Sequence, residues 1–139
     1  SFSKTGQRRD LNREKFELDK LVLELDNDDS YASKNLKFLS NAMKIRSSLI
    51  SFHPSSEMKC FSKDRSDVIV IKRGEGMNSL IAIHNFTENK LNYSINDHEL
   101  FNNREKSSIF KDFLSGKIYK NLNFVLNPFD VLWIGLVSK

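Results

Sequence analysis

The sequence predicts an α+β, mainly β fold: two N-terminal helices followed by an antiparallel β-sandwich. Up to His53-Pro54 apolar residues recur at helical spacing, and beyond it they fall into short runs rich in Val, Ile, Phe and Tyr. Gly, Asn, Asp and Ser divide those runs at intervals of roughly 8 to 12 residues, the texture of an antiparallel sheet. The third observation is "FVLNPFDVLWIGL", Phe124 to Leu136, the most apolar run of the chain and the site of its single tryptophan. On this reading residues 1–54 hold an N-terminal segment and the two helices, and residues 55–139 hold the antiparallel β-domain.

Phe16, Leu18, Leu21, Val22 and Leu25 suit a short first helix. Ala32, Leu36, Leu39, Met43 and Ile50 follow steps of three, four or seven, and Ala42, Ile45 and Leu49 widen the stripe, so a longer helix is expected from about Tyr31 to Ser48. Ser30 is placed to cap it, with Asp28 and Asp29 near its positive end. Pro54 forbids continuation, because its ring biases the preceding residue out of helical geometry. The acidic run Glu24 to Asp29 lacks the glycine and terminal glutamate of a calcium-binding hand and reads as a helix linker.

Strands are expected near Glu57 to Ser62, Asp67 to Lys72, Ser79 to Asn85, Lys90 to Ile95, Ile109 to Leu114, Leu122 to Leu126 and Phe129 to Leu136. "RGEGMN", Arg73 to Asn78, is a hairpin turn, since its glycines do not have the spacing of a phosphate-cradling loop. Asn127-Pro128 interrupts pairing because proline has no N–H for a ladder. Val131 and Trp133 then fill one face of the last strand while Leu132 and Ile134 fill the other. A strand apolar on both faces needs two covers: a facing sheet on one side, and the N-terminal helix or a separate domain on the other.

Composition narrows the function classes. Hydrophobic residues are 39% of the chain, and no apolar stretch approaches the roughly 20 residues that cross a bilayer. The chain opens at Ser1 in polar sequence, as one excised from something longer would. One cysteine, Cys60, leaves neither an internal disulfide nor a cysteine-based zinc site, so a cytoplasmic location is expected. The sequons at Asn85 and Asn92 are in line with chance in a chain of 14 asparagines. A net charge of +4 invites a nucleic-acid reading. Its layout argues against one: residues 1–15 carry five basic and two acidic side chains, residues 17–29 one and six, and residues 67–139 nine and eight. Neither nucleic acid nor membrane is expected as a partner.

No catalytic, cofactor-binding or metal-binding residue is assigned, and no cofactor is expected. His53, His84 and His98 have no paired spacing for a metal. Cys60 lacks a local nucleophile signature and reads as a small core hydrophobe. Glu57, Glu105, Asp112 and Asp130 show no acid/base spacing. Thr5 to Arg13, "TGQRRDLNR", interleaves three arginines with Gln7, Asp10 and Asn12, so its forks could staple two domains through carboxylates or orient a substrate loop, the plain alternative being a floppy basic tail. As a carbohydrate-binding β module, the alternative, the chain would offer Tyr93, Phe101, Tyr119 and Trp133 to sugar rings, although Trp133 reads as core.

Four stretches in order carry a family resemblance: "GQRRDLNREKF" (Gly6 to Phe16), "LSNAMKIRSSLISFHP" (Leu39 to Pro54), "IFKDFLSGK" (Ile109 to Lys117) and "VLNPFDVLWIGL" (Val125 to Leu136). Together they resemble the C-terminal end of the sucrose phosphorylase branch of the alpha-amylase superfamily. In that branch a "GRDINRHYY"-like segment leaves the catalytic barrel, two helices follow, and an antiparallel β-domain ends the chain. Here Glu14-Lys15 stands in place of "HY", and "SFHP" at Ser51 to Pro54 is closer to the "AFHP" of glucosylglycerate phosphorylases. The resemblance implies an amylase C-terminal-domain-like sandwich, joined to a catalytic barrel of the same chain that holds the nucleophilic aspartate, the acid/base glutamate and the stabilising aspartate. It also implies a parent enzyme that transfers an α-glucosyl group from sucrose or glucosylglycerate to phosphate. This region would contribute packing, stability and a surface for homo-oligomers, with no catalytic residue of its own.

Overall fold

The computed structural model describes residue 6 and residues 16–61, 66–95 and 109–137. The chain forms two compact units, Ser1–Asn41 and Ala42–Lys139. In the first, helix Leu18–Asp26 (α1) is followed by the start of helix Tyr31–Ser48 (α2). The long helix begins where its cap chemistry dictates. Ser30 Oγ accepts the Ser33 N–H at 3.0 Å and donates to the Glu24 carbonyl at 2.5 Å, tying the two helices through the turn. Lys37 pairs with Asp28 across the same turn at 2.5 Å.

The apolar stripe of these helices is largely bare. α1 buries no residue and α2 buries Ser33 alone, while Leu36, Leu39 and Met43 remain 50%, 59% and 61% exposed. Ala32, Ala42, Ile45 and Leu49 are half-buried. A helix of this length draws most of its stability from packing of its apolar face, and Leu36, Leu39 and Met43 keep half or more of their surface exposed.

The second unit is the expected sandwich. Its strands are Met58–Cys60 (β1), Val68–Arg73 (β2), Leu80–Asn85 (β3), Leu91–Ser94 (β4), Ile109–Asp112 (β5), Ile118–Tyr119 (β6), Asn123–Leu126 (β7) and Val131–Val137 (β8). Among the described residues six of them pair in the order β1-β2-β3-β8-β5-β6, every pair antiparallel, and β4 pairs with β7 in a second sheet. Val68, Val70, Ile81, Ile83, Phe110 and Ile134 of the large sheet meet Phe124 and Leu126 of the small one in one core. Each such side chain contributes about 1.5–3 kcal/mol by leaving water.

The last strand lies inside the large sheet, with β3 on one side and β5 on the other, and its two apolar faces meet different covers: the shared core on one face and Phe52 on the other. Ile134 points into the core and is fully buried, whereas Trp133 points outward, is half-buried and meets the Phe52 ring at 4.7 Å. At Gly135 a Cβ would sit 2.7 Å from Phe113 Cε2, so only glycine lets that ring lie on the strand.

Three expectations change. Cys60 is exposed on strand β1 and is no core residue, because among the described residues β1 has a single neighbour and all three of its residues face solvent. The strand expected through Leu114 stops at Asp112, whose side chain takes over the hydrogen bonding of the turn, and the two-residue β6 had no periodicity long enough to read. Phe129 belongs to the turn before β8. Asp130 donates its N–H to the Asn127 carbonyl at 3.1 Å, and Phe129 has φ 58°, so Asn127 to Asp130 form a turn with Pro128 second and a bulky residue in the left-handed third place. That conformation costs a residue with a Cβ about 1–2 kcal/mol.

Candidate functional site

Polar chemistry in the β-unit gathers at three places. The first is the joint after α2. The Arg73 guanidinium donates to the Ser51 carbonyl at 3.3 Å and the His53 carbonyl at 2.8 Å, and Ser51 Oγ donates to the Asn78 carbonyl at 2.5 Å. Gly74 packs so tightly here that a Cβ would lie 2.6 Å from the Asn78 oxygen. Beside this joint lies an open cleft of about 440 Å³ lined by Ser55, Ser56, Glu57 and Glu75. Glu57 is held below the ordinary carboxylate range, first by its hydrogen bond from Lys59 at 2.8 Å, and Lys59 is raised by the same contact. Glu57 is therefore a carboxylate at neutral pH and supplies no proton.

The second place is Asp112, 1% exposed on the core face of the large sheet. Oδ1 accepts the N–H groups of Trp133 at 2.9 Å and Leu114 at 3.2 Å, and Oδ2 accepts the Ser115 N–H at 3.2 Å and its hydroxyl at 2.5 Å. Four donors meet the two oxygens, so the carboxylate is committed to the turn and to β8. The third is Asn85, 3% exposed. Its Nδ2 donates to the Asn89 carbonyl at 2.8 Å and the Asn127 carbonyl at 2.7 Å, and its Oδ1 accepts from Thr87 N–H at 3.0 Å and Thr87 Oγ1 at 2.9 Å. The amide sews the turn after β3 to the turn before β8, and its buried nitrogen gives the Asn85 sequon a structural use.

Among the described residues the structure does not bring the sequence's reactive candidates together. His53 caps its own turn, accepting the Ser55 N–H on Nδ1 at 3.2 Å. Asp130 accepts the Asn127 N–H at 2.7 Å. Tyr119 packs edge-on against Phe124 at 5.1 Å, Tyr93 joins the same core, and Trp133 meets Phe52, so no flat sugar platform forms from these three. His98, Phe101, Glu105 and all of Thr5 to Arg13 except Gly6 lie outside the described residues. Among the described residues no group of three or more His, Cys, Asp or Glu could hold a metal ion, and no helix is long and apolar enough to cross a membrane.

His84 sits on the outer face of β3, flanked in register by Ile69 and Val131, with its ring stacked on Phe86 at 5.8 Å. Burial holds its pKa below the ordinary 6.5. In the window between the lowered folded value and the ordinary unfolded one, the unfolded chain binds more protons, so stability is full above that window and declines as pH falls through it. Urea midpoints between about pH 7.5 and about pH 5 should show this fall, and His84→Gln should flatten it. An unchanged slope in the variant assigns the effect elsewhere.

The sequence reading missed the exposed pair Phe86 and Phe129, 58% and 62% exposed. Phe86 follows the last residue of β3 and reads as its end, and no pattern signals a phenylalanine in a left-handed turn.

No family model matches the chain, and no curated protein does. Its fold nonetheless resembles part of a solved structure. The crystal structure of an Anoxybacillus alpha-amylase superposes with a TM-score of 0.60 at 12% identity, over 74% of this chain and 22% of that one. The likeness shows a shared fold, two helices followed by antiparallel β-sheets as in part of an alpha-amylase. The chain spans about 22% of the length of the amylase it matches.

Proposed function

We propose that this chain is a noncatalytic C-terminal part of an alpha-amylase-superfamily phosphorylase. Its parent would move an α-glucosyl group from sucrose or glucosylglycerate to phosphate, with retention, giving α-glucose 1-phosphate. The part described here packs against and stabilises the catalytic barrel of the same polypeptide. The observation that carries this reading is the bare apolar stripe of α2, with Leu36, Leu39 and Met43 exposed, directly preceding a sandwich of amylase fold. The four ordered sequence resemblances supply the phosphorylase branch. The polar clusters agree with a noncatalytic role, because the Asp112 and Asn85 side chains are spent on turns and Glu57 has Lys59 for its partner.

The chain of residues 1–139, incubated with sucrose or with glucosylglycerate and phosphate, should release no glucose 1-phosphate, while the complete gene product should. Release by the 139-residue chain above background overturns the noncatalytic assignment. Inactivity of the complete product on both donors removes the phosphorylase assignment and leaves the amylase fold.

A further inference from the structure

We propose that the cleft beside the joint after α2 binds a neutral small molecule with vicinal hydroxyls, a sugar or a polyol; this goes beyond the packing role proposed above and holds whatever reaction the parent performs. The cleft has two walls. Ile50, Ser55, Ser56 and Glu57 form one, and Glu75 and Asn78, in the turn between β2 and β3, form the other. Hydrogen bonds tie the walls together: the Gly74 N–H donates to the Glu57 carbonyl at 2.9 Å, Ser51 Oγ to the Asn78 carbonyl at 2.5 Å, and the Arg73 guanidinium to the Ser51 and His53 carbonyls. Each wall is also fixed in itself, through Ser56 Oγ to the Ile50 carbonyl at 2.9 Å and the Asn78 N–H to the Glu75 carbonyl at 3.1 Å. A cleft of about 440 Å³ held in this way is preformed and falls in the size range of small-molecule sites, roughly 300–1,000 Å³.

Two features of the lining select the ligand. The first is what remains unspent. At Asp112 and Asn85 the polar side chains are saturated by their own turns, whereas here the Ser55 hydroxyl and the Asn78 side-chain amide have no hydrogen bond within the protein among the described residues. They share the cleft with the carboxylates of Glu57 and Glu75. A hydroxyl both donates and accepts, so neighbouring hydroxyls of one ligand can donate to the carboxylates and accept from the amide and from Ser55. The second is charge. Glu57 has Lys59 at 2.8 Å and feels Lys72 as well, and Lys59 in turn feels Glu75, so two carboxylates stand among two ammoniums and the cleft offers no surplus charge to an ion. Ile50, 61% exposed, adds an apolar flank against which the C–H face of such a ligand packs.

The test follows the backbone N–H signals of the isotopically labelled 139-residue chain by NMR while maltose, glycerol or putrescine is added. Saturable shifts are expected at Ser55, Glu57, Gly74 and Asn78. Saturation by maltose alone assigns the cleft to a sugar ring, and saturation by glycerol, with or without maltose, assigns it to vicinal hydroxyls in general; each supports the proposal. Asn78→Ala and Ser55→Ala should each weaken the affinity about two- to tenfold, the worth of a single hydrogen bond, and leave the signals of the core strands unmoved. Absence of a saturable shift at these positions overturns the proposal. So does saturation by putrescine without maltose or glycerol, which makes the place a cation site, or an affinity unchanged in both variants. The complete gene product gives a second reading that does not require the 139-residue chain to fold alone: calorimetric titration with maltose should show one binding event fewer when Ser55→Ala and Asn78→Ala are combined, and an equal number overturns the proposal. Release of glucose 1-phosphate by that product is a separate outcome, so the phosphorylase assignment and the cleft stand or fall independently.

Discussion

Asp112→Ala is expected to destabilise the β-unit by about 3 kcal/mol or more, the sum of two hydrogen bonds to a buried charge at the low end of their range. The side chain stands where β5 leaves the sheet. At that point the strand's own carbonyl accepts the Gly116 N–H at 2.7 Å, and the carboxylate reaches across to the Trp133 N–H at 2.9 Å. The Phe113 N–H completes the join by donating to the Trp133 carbonyl at 2.8 Å. Alanine leaves the N–H groups of Leu114, Ser115 and Trp133 without this acceptor, of which those of half-buried Leu114 and Trp133 have the least access to water in exchange. Asp112→Asn keeps one acceptor oxygen but turns an NH2 toward the Ser115 donors, so about half the loss is expected, roughly 1.5 kcal/mol. Urea unfolding followed by the fluorescence of Trp133, the single tryptophan, reads both variants with a reporter attached to the affected bond. A loss below about 1 kcal/mol for Asp112→Ala, the size of an ordinary surface change, shows that water or a shifted turn satisfies these groups.

How much of this was legible depended on the range of the interactions. Helix α2 could be read to the residue because its determinants are local: the Ser30 cap, the apolar steps from Ala32 to Met43, and the Pro54 stop. Most strands could be found because Val, Ile and Phe alternate between turn residues. The cover of the last strand could be read as a requirement, since Leu132 and Ile134 on one face and Val131 and Trp133 on the other cannot all face water. The strand order could not, because β8 lies between β3 and β5 through contacts far apart in the chain. Cys60 was misplaced for the same reason: residue type suggests burial, but burial on β1 depends on its being an edge. The candidate site was the least legible part. Asp112 and Asn85 look like surface residues in sequence, and only the fold shows each buried and saturated. Phe129 looks like the start of a strand until its φ of 58° places it in a turn.

Asn85 carries the second large expectation. All four hydrogen-bonding capacities of its amide are used, two as donor and two as acceptor, between segments 42 residues apart at the widest. Asn85→Ala removes them together and leaves the Asn89 and Asn127 carbonyls and the Thr87 N–H without this partner, at about 2–3 kcal/mol by the usual cost of unsatisfied groups. Asn85→Asp is the sharper substitution. It preserves size and the acceptor toward Thr87, but sets a carboxylate oxygen against the carbonyls of Asn89 and Asn127, where only a donor fits. The aspartate variant should therefore be less stable than the alanine variant at pH 7 and should recover part of the loss as pH falls and the carboxyl regains a proton to donate. Thermal unfolding of the two variants at about pH 7 and about pH 4.5 measures this order and its change, beside a wild-type control for the general acid loss. Equal stabilities at both pH values mean that the two carbonyls do not need the amide donor.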